Sequence, residues 1–192
     1  MSPREQFLLH MYDQLSNNIN RHIMVVWQSL SLVLAAFTIF ALVGREPISI
    51  DLAVALIILL SSWLMAHIED ASYWFNRNIA IISNIERQFL LPTDLHDIHP
   101  YFKGHRNNSK IDHLQLQWWF GLMLSILAVT YHVTERIIPE TKADLPANEF
   151  SLLLPYIAAA FALVVVVLSH RQGKQKYSKL LRESPGKQLE DN

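Results

Sequence analysis

The chain has 192 residues, of which 51% are hydrophobic and only 17% charged, against roughly a quarter charged in an ordinary soluble domain. It contains no cysteine, which excludes disulfides, thiolate metal sites, iron–sulfur clusters and c-type haem attachment. The net charge of −1 conceals a strongly uneven distribution of basic residues along the chain, and that distribution carries most of the information.

Residues 1–22 are polar but place Phe7, Met11, Leu15, Ile19 and Ile23 at helical spacing. This predicts a cytoplasmic amphipathic helix, with Pro3 in its first turn, running into the first apolar stretch. That stretch, 23–43, is too long for a signal-peptide core and lacks a small-x-small cleavage site, so it is expected to stay as an anchor. A helix needs about 20 mainly apolar residues to cross the hydrocarbon layer. By that measure spans are expected at 23–43, 50–66, 116–133 and 150–169. Gly44 and Pro47 supply the reversal between the first two, which makes them antiparallel neighbours.

After the second span, Ile68, Ala71, Phe75, Ile79, Ile82, Ile85 and Phe89 recur every three or four residues with no Gly or Pro before Pro92. One helix is therefore expected from Ile50 to Leu91, half of it projecting from the membrane as part of a cytoplasmic segment, 67–115. Residues 92–110 hold Pro92, Pro100, Gly104 and the polar run HRNNSK and read as loop, with a new helix starting near Ser109 or Lys110. An outer loop, 134–149, joins spans three and four. Pro155 fits the first turn of the fourth span. The tail, 170–192, is expected to form a basic helix to about Arg182 and then to be disordered.

Basic residues orient these spans. Thirteen of the 16 lysines and arginines fall in the N-terminal segment, the central segment and the tail, and only Arg45, Arg136 and Lys142 fall on the other side. Both termini are therefore expected in the cytoplasm, in a multi-pass protein of the inner (plasma) membrane. The tail alone carries Arg171, Lys174, Lys176, Lys179, Arg182 and Lys187. The fold class is all-α: four transmembrane helices with helical cytoplasmic extensions. The apolar faces of those extensions, chiefly Phe75, Ile79, Ile82, Ile85 and Phe89, must be covered, either by one another in a small bundle or by a partner.

Few constellations carry chemistry. Asp94, His96, Asp97 and His99 form a D-x-H-D-x-H run whose side chains suit a divalent metal. The spacing is not the i, i+4 pair of a helical zinc site and the run falls in an expected loop, so a solvated loop is the simpler reading. No cofactor is implied. His67, Glu69 and Asp70 mark the exit of the second span. Asp51 sits at its start, where a carboxylate favours a helix N-terminus, and the spans otherwise hold no Lys, Arg, Asp or Glu. That argues against proton relays, voltage sensors and ion-coupled transporters. Two weakly polar stripes remain: Gln28, Ser31, Ala35 and Thr38 in the first span, and Gly121, Ser125, Ala128 and His132 in the third. They suit close helix packing, or a pore lining assembled from several subunits. Tryptophans 27, 63, 74, 118 and 119 lie near span ends, as interfacial anchors do. No phosphate loop, nucleophile elbow or H-E-x-x-H occurs, which argues against an enzyme, and the tail's single aromatic, Tyr177, is a poor basis for nucleic-acid binding.

The stretch NRNIAIISNIERQFL, 76–90, lies directly after the second span. An Arg/Asn pair, an apolar helix, Ile-Glu and a Leu in that place resemble small bacterial membrane proteins of the SLATT-type and related four-span families encoded beside nucleotide-signalling or antiphage defence genes. The resemblance covers about residues 5–135 and is architectural. It implies a homo-oligomeric membrane effector that permeabilises the inner membrane when a cytoplasmic partner signals. Spans three and four depart from the two-span members, so no functional residue is carried over. The alternatives are a scaffold that anchors and regulates a cytoplasmic protein, and a metal-dependent membrane protein using the Asp/His run.

Overall fold

Helix is the only regular secondary structure among the described residues. The computed structural model describes residues 1–28, 31–43, 45, 48–91, 93–97, 112–140 and 150–183. In chain order these form α1 (Pro3–Gln28), α2 (Ser31–Val43), α3 (Ile50–Glu86), α4 (Asp94–Asp97), α5 (Asp112–His132), α6 (Ile138–Glu140) and α7 (Leu154–Glu183). A π-turn, Val133–Ile137, joins α5 to α6, and a 3₁₀ turn, Phe150–Leu153, leads into α7. The expected helix start near Ser109 and the expected disorder after Glu183 lie outside the described residues.

Three helices are long and apolar enough to cross a membrane: Ile50–Glu86, His113–Ile137 and Phe150–Glu183. They coincide with the second, third and fourth expected spans. The first expected span is divided between the end of α1 and α2. At 13 residues α2 is about 20 Å long, short of the roughly 30 Å hydrocarbon layer unless the end of α1 adds to it.

The chain separates into two compact units. One comprises Gln28–Glu69 and Asp112–His170, and the other Met1–Trp27, Asp70–Ile111 and Arg171–Asn192. The first, here the apolar unit, has a core rich in alanine: Ala36 of α2, Val54, Ala55, Ile57 and Ile58 of α3, Ala128 of α5, and Ala158 and Ala162 of α7. Ile57, Ile58, Leu64 and Met65 of α3 are buried as well, but many other large apolar side chains of the unit point outward. Leu34, Phe37, Met123, Leu163 and Phe161 are 59–69% exposed. Small residues let backbones approach closely, and where the surrounding solvent is hydrocarbon nothing forces Leu and Phe inward.

Helix α3 sits at the centre of this unit. Only the stripe Leu52, Leu56, Leu59 and Trp63 faces out. Its buried seam runs Asp51, Val54, Ile58, Ser62, Met65 and Glu69. Gly121 of α5 abuts it so closely that an added Cβ would lie 3.1 Å from Met65 Cγ and 3.3 Å from the Ser61 carbonyl oxygen. The thioether can yield, but the backbone oxygen cannot. Gly173 on α7 has open space around it. Gly173→Ala is therefore expected to stabilise by up to about 1 kcal/mol through helix propensity, and Gly121→Leu to destabilise by about 1–3 kcal/mol through overpacking. Thermal unfolding of both variants in detergent, with opposite shifts, checks this.

In the second, amphipathic unit, Leu15 and Ile19 of α1 pack on Ile79, Ile82 and Ile85 of α3, with Leu8, Met11, Tyr12, Ile23, Phe75 and Ile81 at the margins. The expected inward Phe7 is 66% exposed, and Leu8 takes its place. Seven residues before Leu15 bring Leu8 back to nearly the same side of the helix, whereas eight leave Phe7 about 80° away. Helix α1 opens on a capping box. The Glu5 amide donates to Ser2 Oγ (3.2 Å), the Ser2 amide donates to Glu5 Oε2 (2.7 Å), and Pro3 occupies the first helical position. Ser2 and Glu5 have the S-x-x-E spacing of that signature.

Helix α3 ends at Glu86 rather than Leu91. A tightened turn follows, in which the Gln88 amide donates to the Ile85 carbonyl (3.0 Å) and the Phe89 amide to the Glu86 carbonyl (3.0 Å). Side chains tie this end to α1: Tyr12 Oη donates to Glu86 Oε1 (3.2 Å), and Arg4 donates to Gln88.

Candidate functional site

Buried ionisable groups are costly where no water reaches, so their clusters mark function. The apolar unit has one where α3 begins. Ser49 caps α3 there, its Oγ accepting from the Leu52 amide (3.2 Å). Asp51 lies in the first turn of α3, as expected, and its carboxylate also meets side chains of other elements.

Asp51 is 1% exposed and His132 of α5 wholly buried. His132 Nε2 lies 3.0 Å from Asp51 Oδ1 and its Nδ1 lies 3.2 Å from Tyr156 Oη of α7. Arg136, in the π-turn, donates from Nε to Asp51 Oδ1 (3.3 Å) and from Nη2 to Oδ2 (3.5 Å). The His132 and Tyr156 rings meet edge to face, with centroids 5.5 Å apart.

An ionised carboxylate only accepts, so Nε2 carries a hydrogen toward Asp51. In the neutral ring Nδ1 then accepts from the Tyr156 hydroxyl, giving an unbroken relay of Tyr156, His132 and Asp51 with Arg136 as counter-ion. Both ring nitrogens are satisfied and the charges balance, the two conditions a buried cluster must meet. The π-turn contributes directly. The Ile138 amide bonds the Val133 carbonyl five residues back, and this wider winding spans the stretch that carries Arg136.

A second carboxylate–imidazole pair lies at the far end of the seam. Glu69 Oε1 is 3.1 Å from His170 Nδ1, with the two side chains 9% and 41% exposed. Eighteen residues separate Asp51 from Glu69, which is about 27 Å and five whole turns, so both leave α3 on one face. The Ala/Ile core lies between them, with Ser61 and Ser62 of α3 also buried along that stretch.

The residues singled out from the sequence are distributed as follows. In α5, Gly121, Ala128 and His132 face inward, and Ser125 Oγ returns a bond to the Gly121 carbonyl (3.1 Å). In α2 the inward position is Ala36, whereas Ser31 and Thr38 are exposed, Thr38 Oγ1 donating to the Leu34 carbonyl (2.8 Å). The Gln28 side chain lies outside the described residues.

Ile79, Ile82 and Ile85 are 1–4% exposed and Phe75 is half-buried, so α1 already covers most of the expected interaction face; Phe89 is 43% exposed. Arg171, Lys174, Lys176, Lys179 and Arg182 are all exposed on α7, which runs unbroken through to Glu183. In place of the expected loop, Asp94–Asp97 is one turn of helix, and Asp94 Oδ2 accepts from the Leu91 amide (2.7 Å). His96 is exposed, while His99 and the Asp97 side chain lie outside the described residues. Among the described residues no three His, Asp or Glu converge as metal ligands.

In the sequence Asp51, His132 and Arg136 stand apart, as a helix-dipole acid, part of a packing stripe and an outer-loop cation. One signal could have joined them: all three fall at the same predicted end of adjacent spans. Compared with protein-family models, curated proteins and solved structures, the chain matches none.

Proposed function

We propose that this chain is a non-enzymatic integral membrane effector or sensor. It crosses the inner membrane four times with both termini in the cytoplasm and works as a homo-oligomer. The observation that carries the membrane reading is the large apolar surface of the apolar unit, where Leu34, Phe37, Met123, Phe161 and Leu163 face out around a core rich in alanine. The relay of Asp51, His132 and Tyr156 ties three apolar helices at one end and is the element whose rearrangement changes their packing.

In this reading permeation runs between several copies rather than through the Ala/Ile core of one. Ser31 and Thr38, exposed seven residues apart on α2, are the weakly polar positions available to such an assembly. The architectural resemblance to defence-associated membrane proteins fits this reading. Purified protein in dye-filled liposomes should release dye once activated, and Ser31→Leu with Thr38→Leu should reduce release several-fold. An intact dye pool with activated protein removes the pore version.

A scaffold that anchors a cytoplasmic protein is the second reading. Phe7, Phe89 and Leu91, 43–66% exposed in the amphipathic unit, favour it. A partner retained by the Ser31→Leu, Thr38→Leu protein and lost on Phe89→Ser would support it.

A further inference from the structure

Helix α7 is apolar up to Leu168 and then, without a break, carries five cations within twelve residues: Arg171, Lys174, Lys176, Lys179 and Arg182. Tyr177 is fully buried beneath them. At 100° per residue the cations fan over about 200° of the helix circumference, leaving free the side on which the buried Tyr177 lies. A groove on a protein or a nucleic-acid backbone would touch a narrower strip. A layer of headgroups surrounding a helix that emerges from a bilayer touches all the free sides.

We infer that the upper part of this basic collar, Arg171, Lys174 and Lys176, binds the acidic phospholipid of the leaflet from which α7 emerges. This rests on the membrane reading above. From Arg171, Lys174 lies about 4.5 Å and Lys176 about 7.5 Å further along the axis, while Lys179 and Arg182 lie about 12 and 16.5 Å away. The first three are within the Debye length of about 8 Å, and the last two are beyond it.

Local pairing sharpens the division. Lys179 sits 3.9 Å from Glu183, which lies next to Arg182, so the lower end is partly self-compensated. Lys176 stands 5.9 Å over the Tyr73 ring, a contact that leaves its charge intact and its side chain exposed. Arg171 and Lys174 have no ion-pair partner among the described residues.

The test uses the full chain reconstituted in mixed phosphatidylcholine–phosphatidylglycerol vesicles, re-extracted in mild detergent, with the retained lipids quantified by mass spectrometry. The wild type should retain phosphatidylglycerol enriched about five-fold or more over the bulk ratio, the effect of at least one well-placed cation. Arg171→Gln with Lys174→Gln and Lys176→Gln should bring the ratio to that of the bulk, and Lys179→Gln with Arg182→Gln should leave the enrichment in place. No enrichment in the wild type, or persistence in the triple variant, overturns the proposal. Equal loss in both variants also overturns it and points to a one-sided protein or nucleic-acid partner. Failure of the membrane reading shows separately, as protein that stays monodisperse without detergent and never enters the vesicles.

Discussion

Asp51→Ala should be among the most damaging single substitutions in the apolar unit, costing about 3–5 kcal/mol, because it leaves Arg136 and the fully buried His132 facing an empty site. Both side chains hydrogen-bond this one carboxylate, and its removal takes that partner from the two together. Asp51→Asn keeps an acceptor for Arg136 and His132 but loses the charge, so its cost should be markedly smaller. Replacing the whole cluster tests the cause more sharply. Buried ion pairs exchanged for apolar groups of similar volume are often neutral, so Asp51→Leu with His132→Leu and Arg136→Met should recover much of the stability lost in Asp51→Ala. Thermal unfolding in detergent gives all three values. A triple variant no more stable than Asp51→Ala would show that the cluster contributes packing rather than charge balance.

Ile82→Ala is the corresponding test in the amphipathic unit. Ile82 is 2% exposed in the cluster formed with Leu15, Ile19, Ile79 and Ile85, and truncating such a side chain costs about 2–5 kcal/mol. The loss should appear as faster hydrogen exchange of the α1 amides around Leu15 and Ile19, since their cover is removed. Phe7→Ala on the same helix should leave that exchange unchanged, because Phe7 already faces out. Equal effects of the two substitutions would place α1 in the opposite rotation.

These two sites differ in how far local sequence reveals them. The apolar faces of α1 and α3 repeat every three or four residues, and a helix preserves that order in space, so Leu15, Ile19, Ile79, Ile82 and Ile85 could be named as facing inward before any coordinates. The error at Phe7 was one of phase. Five residues at spacing four drift steadily around a helix of 3.6 residues per turn, and the face returns to Leu8 instead. The end of α3 was misplaced for a related reason. Pro92 marks the last residue at which the helix must stop, whereas the tightened turn at Arg87–Phe89 ends it earlier without any residue that forbids continuation.

What the chain determines by itself is the length and apolarity of its helices and its local winding. Composition and the length of the apolar runs give helices long and apolar enough to cross a membrane, and capping signals such as Ser2 with Glu5 set one boundary, because each depends only on neighbours within a turn or two. What tertiary structure alone decided is which polar groups meet. Asp51 lies 81 residues from His132 and 85 from Arg136 in the chain, and their meeting requires a particular rotation of α3, α5 and the π-turn about their axes. No periodicity encodes that rotation. It follows from close approach at Gly121 and the alanines, where only one azimuth lets the backbones touch, and that contact carries the acid to its imidazole.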